Sequence, residues 1–72
     1  MVLEMTRLRA RRLELGLSQR TVAGRARVAS ADLSRFETRM ATPYKAQAER
    51  IAGVLGLLPD SLVDLVKLQA AS

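Results

Sequence analysis

The 72-residue chain contains neither cysteine nor histidine. That removes disulfides, thiolate chemistry, the usual zinc ligands and the commonest general base. No metal site and no cofactor is therefore expected, and with no cluster of titratable groups enzymatic activity is not expected either. The missing cysteines also fit a reducing, cytoplasmic setting. No run of about 18 apolar residues occurs, so no membrane-spanning helix is expected. The longest apolar stretch, residues 52–58, stops at Pro59. The opening residues, MVLEMTRLR, hold no apolar signal core. Repeats, linkers and low-complexity segments are also missing, which leaves one small domain over residues 1–72. A domain of this size buries only about 60% of its unfolded surface, and some such domains add a dimer interface.

What the chain does have is positive charge, unevenly placed. Its formal net charge is +5, yet residues 7–50 alone carry eleven Lys/Arg against four Asp/Glu. Residues 1–6 and 51–72 are each net −1. A basic surface suits a polyanion, because neutralising phosphates releases counterions. Ten of the twelve cations are arginine, whose planar fork matches phosphate and guanine better than an ammonium does.

Apolar spacing predicts five short helices and no strands. In residues 3–15, Met5, Leu8, Arg12 and Leu15 fall on one helical face. Arg12 on that face calls for a buried carboxylate partner. Arg7, Arg9 and Arg11 point elsewhere, to water or a ligand. Gly16 closes this helix, and Leu17 folds back onto its last turn. Ser18 caps a second helix over residues 19–26, with Val22, Ala23 and Ala26 inward. Arg27 and Val28 make the turn. A third helix runs from Ala29 or Ser30 to Thr38, with Leu33, Phe36 and Glu37 inward and Phe36 at the centre of the core. A loop leads to a fourth helix, from Tyr44 or Lys45 to Leu55, with Ala48, Ile51, Ala52 and Leu55 inward and Gly56 at its end. A fifth helix is expected from Asp60 to about Ala70. Its apolar band, Leu62, Leu65 and Val66 with Val63 and Leu68, is wider than one small core requires, and so marks a homodimer surface.

GLSQRTVA at 16–23, Val28, LSRFE at 33–37, Pro43 and IAGVLGL at 51–57 recur in an order and spacing that resembles the lambda-repressor-like, Cro/Xre-type helix-turn-helix family, over about residues 6–66. The resemblance implies a compact, all-α five-helix DNA-binding domain, with the helix-turn-helix at about 19–37. It implies that Ala23 is the small residue where the second and third helices cross. It also implies that Arg12 pairs with Glu37, and that Gln19 bonds a phosphate at the start of helix two. Three positions depart from the family pattern. Arg27 stands in the turn where glycine is usual, so that a left-handed backbone there would cost about 1 kcal/mol or more. Ala29 stands where a Ser or Thr caps the recognition helix, which leaves Ser30 to cap one residue later. Arg39 stands near the place of a glycine after the third helix.

By the same resemblance, Ser30, Ala31 and Arg35 face base edges, with Asp32 and Ser34 at their flanks. Arg35 is the strongest reader, since a bidentate arginine on guanine is worth about 1–3 kcal/mol of discrimination. Asp32 holds Arg35, one helical turn away. Phosphate contacts are expected from Gln19, Arg20, Arg39, the loop from Met40 to Thr42, and Lys45. Arg25 and Arg27 are expected in solvent. The expected function is a sequence-specific regulator of transcription, a repressor, that binds an inverted repeat in double-stranded DNA as a homodimer. Neither a membrane nor a small-molecule effector is expected as a partner. Two alternatives stay open: an antitoxin-like protein that binds both DNA and a toxin, and a protein-interaction module of this fold without DNA binding.

Overall fold

Thr6 decides where the first helix begins. A computed structural model describes residues 2–69, and the surroundings of side chains 3–67. In it a strand, β1 (Val2–Thr6), runs directly into α1 (Arg7–Glu14). Then come α2 (Gln19–Ala26), α3 (Ser30–Glu37), α4 (Lys45–Leu55), a single 3-10 turn (Pro59–Ser61) and β2 (Leu65–Gln69). The two strands pair antiparallel, Glu4 opposite Lys67 and Thr6 opposite Leu65.

The expected all-α, five-helix architecture is thus corrected at both ends: the described residues hold four α-helices and a two-stranded sheet. The reason lies in the free N–H groups at the start of α1. Thr6, extended at φ −65° and ψ 150°, accepts the Arg9 N–H on its hydroxyl oxygen at 3.3 Å. The Arg7 N–H goes to the Asp64 carbonyl at 2.8 Å, and the Leu8 N–H to the Leu62 carbonyl at 2.9 Å. A helix over residues 60–70 would spend those two carbonyls on its own i→i+4 bonds. Instead the chain leaves helical geometry after one 3-10 turn and pairs with β1. Met5 therefore lies in a strand, and Leu15 caps α1 at 42% exposure rather than facing the core. Met1, Ala70 and residues 71–72, included in the expected domain and its last helix, lie outside the described residues. Among the described residues no helix is long and apolar enough to cross a membrane.

The core joins all four helices. Leu8 of α1, Val22, Ala23 and Ala26 of α2, Leu33 and Phe36 of α3, and Ala48, Ile51, Ala52 and Leu55 of α4 are buried together, with Leu62 as the closing side chain. Burying each large aliphatic group stabilises by about 1.5–3 kcal/mol. Leu17, Val28 and Leu57 pack at its margin.

Each helix ends in the same way. Gly16, Arg27, Arg39 and Gly56 all adopt φ between 57° and 69°. In each case the next N–H returns to a carbonyl five residues back: Leu17 to Arg12, Val28 to Ala23, Met40 to Arg35, and Leu57 to Ala52. This is the Schellman closure, which requires a left-handed residue.

Candidate nucleic-acid interface

The two helices of the motif are set by one small residue and one buried carboxylate. Ala23, 1% exposed, is a small side chain on the buried face of α2. Glu37, at the end of α3, is 4% exposed and accepts from two other helices. Its Oε2 accepts from Arg12 Nε at 2.6 Å, and its Oε1 accepts from Arg12 Nη2 at 3.0 Å and from Gln19 Nε2 at 3.1 Å. Its main-chain carbonyl accepts from the Thr6 hydroxyl at 3.0 Å. Arg12 spends its remaining nitrogen on the Leu17 carbonyl at 2.9 Å. Among the described residues no buried side-chain nitrogen or oxygen is left without a partner. Satisfaction of this kind is what makes a buried charge tolerable.

α2 starts on Ser18, whose hydroxyl accepts the Thr21 N–H at 3.0 Å and donates to the Thr21 hydroxyl at 2.9 Å. It ends on Arg27, at φ 57° and ψ 46°. The third helix then begins without a side-chain cap. The capping position is Ala29, and Ser30 is already the first helical residue, which corrects the expectation that Ser30 caps. Its first intrahelical bond is Leu33 N–H to the Ala29 carbonyl, and the capping position offers the first-turn N–H groups of α3 no side-chain acceptor. A helix terminus of this kind carries partial positive charge.

The outer face of α3 carries Ser30, Ala31 and Arg35 exposed, with Asp32 and Ser34 half-buried. Arg35 Nη1 donates to Asp32 Oδ1 at 3.0 Å. That leaves Nε and Nη2 of the guanidinium, and both groups are about half exposed. Arg20, Arg39, Met40, Thr42 and Lys45 are exposed as well. Arg20, Arg39 and Lys45 take no ion pair among the described residues. Gln19 is half-buried, with its amide turned to Glu37. Asp32 and Thr42 meet in one cavity of about 250 Å³, which Phe36, Ala41, Tyr44 and Gln47 complete.

The profile of one family, the helix-turn-helix domain, matches residues 6–66. The chain belongs to that family. Comparison with curated proteins and with solved structures gave no match. As a helix-turn-helix domain, the chain is of a type that points to DNA binding in a regulatory role.

Elsewhere the structure parts from the expected site. Leu62 is 1% exposed and belongs to the helix-turn-helix domain's own core, so it does not share a surface with Leu65 and Val66. Leu65 is 45% exposed, in a strand and not a helix. Arg11 does not simply face water. Its Nε donates to the Leu55 carbonyl at 3.0 Å and its Nη1 to Glu14 at 2.6 Å. Arg50, unremarked in the sequence, donates to the Ala26 carbonyl at 2.8 Å. Both arginines satisfy carbonyls at helix C-termini, where a cation is favoured. The capping role of Thr6 had a signal, a threonine just before a charged helical run. The reach of Arg11 and Arg50, 44 and 24 residues along the chain, had none.

Proposed function

We propose that this chain is a sequence-specific transcriptional regulator, a repressor, which inserts α3 into the major groove of an inverted repeat and binds as a homodimer in the cytoplasm. One observation carries the reading. Arg35 stands exposed on the outer face of α3, held by Asp32 at 3.0 Å with two nitrogens free, one turn beyond an uncapped N-terminus. A guanidinium fixed in this way presents a ready fork to guanine O6 and N7. Arg20, Arg39 and Lys45 supply phosphate contacts, with Thr42, the backbone at Met40, and Gln19 where its amide is not engaged by Glu37. The contact of Gln19 with Glu37 then ties a phosphate-binding group to the end of the recognition helix.

The sheet supports the choice of dimer surface. Strand alternation puts Leu3, Met5 and Val66 on one side of the ribbon, with Glu4 and Lys67 on the other. The segments that build this end are net negative, while residues 7–50 hold the positive charge. Two copies that meet here through Val66, Leu3 and Met5, with Leu65 on the opposite side of the ribbon beside Lys67, keep their basic faces apart, for half-sites about 34 Å apart on one side of the duplex.

Selection of bound sequences from a random duplex pool tests the reading. A two-fold symmetric site with a preferred guanine in each half is expected. Absence of enrichment at low salt would overturn it in favour of a protein-interaction module.

A further inference from the structure

The connection from α3 to α4 holds an aromatic ring that the fold does not use. Tyr44 is 78% exposed and Met40 80%, while Phe36, in the last turn of α3, is 4% exposed. The chain has a single tyrosine and no tryptophan, so the one large amphipathic ring available to close this corner of a marginal core stands outside it. Its backbone is nevertheless fixed. The Tyr44 N–H donates to Gln47 Oε1 at 2.9 Å, with Tyr44 extended at φ −64° and ψ 159°. Tyr44 lines the cavity that Asp32 of the first turn of α3 and Thr42 of the loop also line. Its sequence neighbourhood is cationic: Arg39 lies before it and Lys45 beside it, both exposed and outside any ion pair among the described residues. The one carboxylate at the cavity, Asp32, is balanced by Arg35. A phenol on a fixed backbone, close in sequence to two exposed cations and at one cavity with Asp32 of α3, has the chemistry to donate to a phosphate while its ring packs on a sugar.

We infer that the Tyr44 hydroxyl donates a hydrogen bond to a DNA phosphate on the α4 side of the recognition helix. The inference rests on the DNA-binding reading above. As a neutral donor, Tyr44 would hold the register of α3 without displacing a counterion. Its signature therefore differs from that of Arg39 or Lys45: affinity falls for every sequence alike, and the salt slope stays as it was.

The test compares the full chain with Tyr44→Phe and Tyr44→Ala on the duplex selected from the random pool and on a scrambled duplex. Binding is followed by anisotropy of a dye on the DNA. Tyr44→Phe keeps the ring and removes only the hydroxyl. It is expected to weaken binding to both duplexes about tenfold, as for one hydrogen bond to a charged acceptor, at unchanged salt slope. Tyr44→Ala is expected to weaken it at least as much. Because Tyr44 is the sole source of tyrosine emission, acrylamide quenching of that emission in the wild-type chain is expected to fall when duplex is added. Circular dichroism checks that both variants fold. If the parent binds the duplex and Tyr44→Phe binds it equally well, the inference is overturned and the DNA-binding reading stands. If quenching falls while Tyr44→Phe binds as the parent does, the ring meets DNA without a hydroxyl contact, and the inference is again overturned. If the parent binds no duplex, the underlying reading fails first, and the anisotropy shows it before any variant is made.

Discussion

The outer helices, α1 and α4, end on Gly16 and Gly56, and the two helices of the motif, α2 and α3, end on Arg27 and Arg39, although one backbone bond closes all four. Glycine adopts the left-handed conformation freely, whereas a side chain there costs about 1–2 kcal/mol. The frame is therefore relaxed, and the helix-turn-helix pair carries the strain. The two parts are also held by different forces. α4 and the closing turn contribute aliphatic burial, through Ile51, Leu55 and Leu62. The junction of α1, α2 and α3 turns on Glu37 and its bonds to Arg12, Gln19 and Thr6. Strain is kept where an interlocking polar network over-determines the geometry. Both strained residues are cations at helix C-termini, which the helix dipole favours in part.

Breaking the polar junction should have the largest effect. Glu37→Ala leaves Arg12 buried without a counter-charge and is expected to lower stability by about 3–5 kcal/mol in urea unfolding. The double change Arg12→Met with Glu37→Leu should recover much of that loss while weakening DNA binding, because Gln19 loses its anchor. Recovery of stability together with full binding would show that the junction serves packing alone. Leu62→Ala, in the frame, should cost about 2–5 kcal/mol at a protein concentration too low for a dimer. A change in the dimer constant alone would instead put Leu62 at a subunit interface. The helix ends offer the direct contrast. Arg27→Gly is expected to raise stability by about 1 kcal/mol and Gly16→Ala to lower it by about as much. Beyond its own chain neighbours, no atom lies within 4 Å of a Cβ at Gly16, so the second cost is conformational. Differential scanning calorimetry reads both as shifts of opposite sign. The smallest effect belongs to the sheet. Glu4→Lys sets two ammonium groups opposite one another and should cost about 0.2–1 kcal/mol. Restoration by Lys67→Glu would verify the strand register.

How far the sequence could be read follows the same division. α2 and α4 coincide with their expected residues because Ser18 marks the start of the one as a cap and Gly56 the end of the other as a left-handed closure. The ends of the chain misled because the apolar spacing of residues 3–15 fits two periods. Met5, Leu8 and Leu15 suit a helix, while Leu3 and Met5 also alternate as a strand. The tie-break is non-local: Arg7 and Leu8 need the carbonyls of Asp64 and Leu62, and no short window contains both. At the candidate site, the helical face of Arg12 calls for a buried carboxylate, the family resemblance supplies Glu37 as that partner, and the spacing of three pairs Asp32 with Arg35. The departure at Ala29 was legible, but its outcome was not. A helix can start on an uncapped residue when tertiary packing, here that of Leu33 and Phe36, supplies what the cap would have contributed.

The bonds from Arg7 and Leu8 to Asp64 and Leu62 join positions more than fifty residues apart, whereas Val28 and Met40 close their helix ends within five. Closing so long a loop carries a large entropy cost before any contact rewards it. The helix-turn-helix can form early from near-neighbour contacts, and the ribbon with the first turn of α1 comes together last. In hydrogen exchange, the amides of Arg7, Leu8 and the β1–β2 pair should open as one unit, ahead of the core amides of α2 and α4.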